Sequence, residues 1–250
     1  MNIRFPHYDK FEISSHNWGS GKIENIIEVL EGVIQHSFSN LDNNLIPQIN
    51  VVIQNCSPNP PKYIRSEDWG GLIFLNVQGE CWKEYIGQFS HEFCHHLTWC
   101  EDPGTKYGWF DETLPELLSG YSFVKMADDW KEHPPTFIKK DYWQEAKSCG
   151  DFILNYSKIQ TSFSGWFRER VQELQKNRYK RDDNRVIASE IYNCIKEHED
   201  LWKAFQYLKF IENADDLCWE QYFCAWKRKL PENLHEEFKL VLELFDVKCV

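Results

Sequence analysis

Between residues 22 and 38 apolar side chains recur every three or four positions: Ile23, Ile26, Ile27, Leu30, Val33, Ile34 and Phe38, with Glu24, Glu28 and Glu31 opposite. That spacing predicts a helix packing one face on a core. The period then shortens. Pro47 introduces Gln48-Ile49-Asn50-Val51-Val52-Ile53-Gln54, whose alternation and β-branched content predict a strand, bounded by Asn55 and by Pro58, Pro60 and Pro61. A second strand is predicted at Gly70-Gly71-Leu72-Ile73-Phe74-Leu75-Asn76-Val77, stopped by Gly79. Helical spacing returns with Trp82, Tyr85, Ile86, Phe89, Phe93 and Leu97. The turn signal Asp102-Pro103-Gly104 leads to another helical stretch, Trp109 to Gly120. Pro115 would remove a hydrogen bond from a helix already begun at Trp109, so a late start is expected, with Asp111 as its N-cap.

Beyond Tyr121 the pattern is helical throughout, broken at His133-Pro134-Pro135 and by the charged run Lys176 to Asn184. Four helices are marked by Ile187, Ile191 and Ile195; by Leu201, Trp202, Phe205 and Leu208; by Leu217, Phe223 and Trp226; and by Leu234, Phe238, Val241 and Phe245. The expected class is α+β, a small mixed sheet on the N-terminal side and a mostly helical C-terminal lobe. The expected division is 1–125 and 126–250, with one continuous domain as the other arrangement. The basic cluster at 176–181 reads as a solvated loop in preference to a phosphate or acidic-substrate site.

Composition narrows the classes. The chain has 250 residues, 42% hydrophobic and 16% aromatic with 11 Trp, enough to build a packed globule. A net charge of −11 and a pI near 5.3 argue against a nucleic-acid partner or an anionic membrane surface. Nine cysteines without a C-x-x-C pair indicate neither a disulfide framework nor a zinc ribbon. With no apolar leader after Met1 and no run of 18 apolar residues, the expectation is a cytoplasmic protein whose thiols are all reduced.

The chemistry concentrates in the helix ending at Leu97. His91-Glu92-Phe93-Cys94-His95 is an H-E-x-x-H pattern. Residues i and i+4 of a helix lie about 40° apart around its axis, so His91 and His95 form a two-pronged clamp off the apolar stripe. Glu92, about 100° further round, stands where a general base can reach a metal-held water. Paired imidazoles suit zinc, which in catalytic sites takes three protein ligands and a water. Cys94 is expected to face the core, and His96 to be an outer-sphere or surface group.

With Trp109-Phe110-Asp111-Glu112 downstream, the chain resembles the gluzincins, the thermolysin- and aminopeptidase-like zinc peptidases, over residues 70 to 120. The resemblance implies a zincin-like core, with Glu112 as third ligand, 17 positions after His95, and Glu116 orienting the first histidine. It also implies an edge strand that pairs with an extended substrate, for which the strand at 71–77 is the candidate, an internal sheet strand being the other reading. A Tyr or His from the C-terminal part would assist the oxyanion, with Tyr156, Tyr179, Tyr192, His133 and His198 eligible. The implied activity is peptide-bond hydrolysis by zinc-activated water with Glu92 as base, on a peptide or protein substrate. No G-x-M-x-N signature precedes the motif, so exopeptidase action is not favoured. The alternatives are a zinc-binding interaction or regulatory protein on a peptidase scaffold, and a metal-free helical binding protein.

Overall fold

A computed structural model describes residues 1–66, 70–98, 105–156 and 159–249; the turn expected at Asp102–Gly104 lies outside the described residues. Strands β1 (Asn2–Arg4) and β2 (Phe11–Ser14) precede helix α1 (Ile23–Phe38). Then come β3 (Val51–Asn55), β4 (Lys62–Ser66), β5 (Gly70–Leu75), α2 (Trp82–Thr98) and α3 (Gly108–Glu132). The remainder is helical: α4 (Trp143–Leu154), α5 (Phe163–Lys176), α6 (Arg181–Ile195), α7 (Leu201–Phe205), α8 (Trp219–Lys229) and α9 (His235–Leu244). The fold is therefore α+β with a mixed sheet. No helix among the described residues is long and apolar enough to cross a membrane.

Two compact units interleave along the chain. The first comprises Met1–Ser39, Ile46–Leu97 and Leu118–Phe152; the second Asn40–Leu45, Thr98–Leu117 and Ile153–Val250. Helix α3 runs unbroken from one into the other, and through residue 125.

In the first unit the sheet order is β1-β2-β3-β5-β4, with β2, β3 and β5 parallel and the outer strands antiparallel to their neighbours. This corrects the expected edge. Strand β5 is paired on both sides, Ile73 facing Ile53 of β3 and Tyr63 of β4. Its two leading glycines make the close fit possible. Gly70 has φ +90°, and a Cβ there would lie 2.3 Å from the Asn50 carbonyl oxygen; one on Gly71 would lie 3.0 Å from the Tyr63 ring. The edge on that side is β4, a short strand carrying Lys62 and Arg65, the kind of charge that discourages unwanted pairing at a sheet margin.

The apolar stripes pack as their spacing requires. Ile26, Leu30, Val33 and Ile34 of α1 and Tyr85, Ile86, Phe89 and Phe93 of α2 are fully buried. Phe93 stacks on Phe89 at 5.2 Å and meets Phe11 and Phe38 at 5.7 and 5.8 Å, joining α2 to β2 and α1. Helix α3 fits tightly on α1, where a Cβ on Gly32 would lie 2.8 Å from the Met126 sulfur.

The second unit has an aromatic core. Trp109 lies 5.3 Å from Phe167, Phe110 5.5 Å from Trp226, and Trp226 4.6 Å from Phe238. This packing explains a second correction, because α3 begins at Gly108 and carries Pro115 inside it. Each large apolar side chain buried contributes about 1.5–3 kcal/mol, and a proline inside a helix costs about 3. Starting the helix early seats both Trp109 and Phe110, and the pair outweighs one proline. The expectation of no structural disulfide is also overturned: Cys224 and Cys249 are disulfide-bonded, their Cα atoms 5.5 Å apart. Cys56, Cys81, Cys94, Cys149, Cys194 and Cys218 are not disulfide-bonded, and Cys100 lies outside the described residues.

Candidate metal centre

Helix α2 presents His91 and His95 side by side, their ring centroids 5.3 Å apart, and both imidazoles are partly exposed. The greasy stripe of the same helix is buried, so the two rings do lie off it. Cys94, 4% exposed, faces inward as its angular position requires. His96 does too, and is neither a surface group nor an outer-sphere partner. It is 1% exposed, stacks on Phe93 and lies edge-on to Phe11, with Nδ1 3.2 Å from the Tyr63 hydroxyl of β4. Burial, helped by the positive charge of Arg65, pushes its pKa down to about 3, so the ring is neutral at ordinary pH. Desolvation likewise holds the Tyr63 phenol up at about 12.

Helix α3 is fixed against α2 by a close approach. A Cβ on Gly87 would lie 3.2 Å from the Phe123 ring, and Ser119 Oγ donates to the Gly87 carbonyl at 3.2 Å. Gly87 is one turn before His91, and Ser119 is two turns after Glu112 on the same unbroken helix. One ligand atom each from His91, His95 and Glu112 lie within 4.8 Å of one another, and among the described residues no other three His, Cys, Asp or Glu side chains converge so closely. Two imidazole nitrogens and a carboxylate oxygen are a donor set suited to zinc.

Glu92 is 6% exposed. Its negative charge is felt at Cys56, whose thiol pKa is raised mainly by burial and further by that carboxylate. The base candidate therefore sits in a low-dielectric setting beside the clamp.

The acidic pair of α3 has guanidinium partners. Glu116 accepts from Arg181 Nε at 2.7 Å through Oε1 and from Arg185 Nε at 3.0 Å through Oε2. Both of these partners are guanidinium groups. Glu112 Oε1 accepts from Arg178 Nη2 at 2.8 Å and from Nε at 3.2 Å. The basic run at 176–181 is thus exposed at Lys176, Tyr179 and Arg181, as expected of a solvated loop, while Arg178 is drawn in to 17% exposure.

Of the five oxyanion candidates, Tyr179 is 71% exposed and adjoins Arg178. Tyr156 is buried with Arg185 over its ring at 5.9 Å, while Tyr192 lies on α6. His133 lines a separate hollow of about 290 Å³ with Trp130 and Glu28, and His198 is exposed beyond α6. Comparison with models of protein families, with curated proteins and with solved structures finds no match.

Proposed function

We propose that the chain is a zinc-dependent peptidase of gluzincin type, with His91, His95 and Glu112 as ligands and Glu92 as general base on a zincin-like core. The observation that supports this reading is the convergence of His91 and His95, paired by helical spacing, with Glu112, the third ligand that the resemblance implies. A bound zinc supplies Lewis acidity toward a water and the scissile carbonyl. His91 and His95 donate from one helix face, and Glu112 brings a negative charge that favours a dication. Glu92 accepts the water's proton and returns it to the leaving amine. Its burial keeps competing solvent from the carboxylate. An extended peptide would pair with β4, the edge strand whose Tyr63 is tied to α2 through His96.

One observation favours a second reading, a zinc-binding scaffold without catalysis: a guanidinium already engages the carboxylate of Glu112. Glu92→Gln separates the two readings. At matched zinc content the variant is expected to keep its fold and metal while hydrolysis of a mixed peptide library falls about 10²–10⁴-fold. Equal cleavage by both proteins removes Glu92 as base. Zinc binding by both with no cleavage supports the scaffold.

A further inference from the structure

Glu112 is the proposed ligand whose charge a metal would need most, and it is held by a full positive charge. Both Arg178 donors converge on the one oxygen Oε1, and the two side chains are 17% and 12% exposed, where solvent screens them poorly. The position of the guanidinium is built. A Cβ on Gly108, in the first turn of α3, would lie 3.2 Å from Arg178 Nη1 and 3.4 Å from its Cδ, so the bare glycine leaves the space that Arg178 fills. The backbone is held as well, since the Arg178 carbonyl accepts from Asn184 Nδ2 at 2.8 Å and Asn184 is 2% exposed. Nor is Arg178 there to balance Glu116, which has Arg181 and Arg185.

We infer that Arg178 is a built-in competitor for the metal, a regulatory positioning residue that holds Glu112 when zinc is absent and keeps zinc binding weak enough to be reversible. The inference rests on the metal-centre reading above. An outer partner of a ligand carboxylate usually orients it and raises metal affinity, by about 10–100-fold. A neutral donor does that equally well. A guanidinium adds two opposing effects: it draws charge from the carboxylate, and it repels a dication bound to the same group in a weakly screened setting. The sign expected for Arg178 is therefore the reverse of the usual one.

The test is zinc affinity, measured on the full chain with zinc alone against a chromogenic chelator, after subtracting zinc retained by the His91→Ala plus His95→Ala variant. Arg178→Gln keeps an amide donor and removes the charge. It is expected to bind zinc at least about tenfold more tightly than wild type, while Arg178→Lys, which keeps the charge, stays within about threefold. The metal-free Arg178→Gln protein should melt earlier than wild type and gain more from zinc. If Arg178→Gln needs zinc to fold, recovery of the fold on zinc addition supports the proposal, and failure to fold at saturating zinc overturns it. Folded Arg178→Gln with unchanged or weaker affinity overturns it too, leaving the metal centre intact. Absence of site-specific zinc in both wild type and Arg178→Gln sinks the metal centre itself and this proposal with it.

Discussion

His96 shows how one position can be misjudged by its neighbours in sequence. It follows a candidate ligand directly, yet its side chain belongs to the aromatic layer between α2 and the sheet. Its proton affinity carries a testable consequence. The ordinary value is 6.5 and the folded value about 3, so between these the unfolded chain takes up a proton that the folded chain refuses. The contribution of the neutral buried ring is complete above about pH 6.5 and declines as pH falls toward 3, at up to about 1.4 kcal/mol per pH unit. Urea unfolding between pH 7 and 4 should show this slope, and His96→Phe should flatten it. An undiminished slope in that variant would assign the acid sensitivity to other groups. Tyr63→Phe should cost about 1 kcal/mol by removing a part-buried hydrogen bond, with zinc stoichiometry unchanged.

At the scale of elements, the local patterns were legible and the long-range ones were not. Helices α1 and α2 follow from apolar spacing, and the imidazole clamp follows from four residues of helical rise. Glu112 was reached through its sequence context. The order of strands was not accessible, because nothing in Gly70 to Leu75 states whether one or both sides will be paired. Strands β1 and β2 have only three and four residues, too short for alternation to register, and β4, Lys62-Tyr63-Ile64-Arg65-Ser66, is largely polar with a single aliphatic side chain. The tie between Arg178 and Glu112 joins residues 66 apart, a distance over which spacing carries no register. The interior position of β5 makes its glycines unequal. Gly70→Ala puts a methyl into the fixed backbone of Asn50 at a positive φ, whereas Gly71→Ala meets the Tyr63 side chain and Val51. Gly71→Ala is expected to cost about 1–3 kcal/mol and Gly70→Ala more, as read from denaturant midpoints. Equal small losses would mean that β5 is not clamped between β3 and β4.

For the whole molecule, the covalent state of the chain decides what holds its C-terminal end. Helix α8 carries Cys224, and Cys249 stands beyond α9, so the bond between them closes a segment of 25 residues that includes the last helix. An odd number of cysteines scattered without a motif gave no hint of it, because pairing depends on where α8 and the end of the chain meet. A cross-link of that span is worth about 3 kcal/mol through the entropy it removes from the unfolded chain. Its formation depends on compartment: a reducing cytoplasm would keep the two thiols apart chemically though close in space. Air-oxidised protein, denatured without reductant, is expected to titrate seven thiols of the nine, and reduced protein all nine. Oxidised wild type should then resist denaturant better than Cys249→Ser by about 3 kcal/mol, and the difference should vanish on reduction. Nine titratable thiols after oxidation would show that the ends do not meet as described. Seven thiols with no gain in stability would show that the bond forms but that the last helix is already held by Phe238 and Phe245 in the aromatic core.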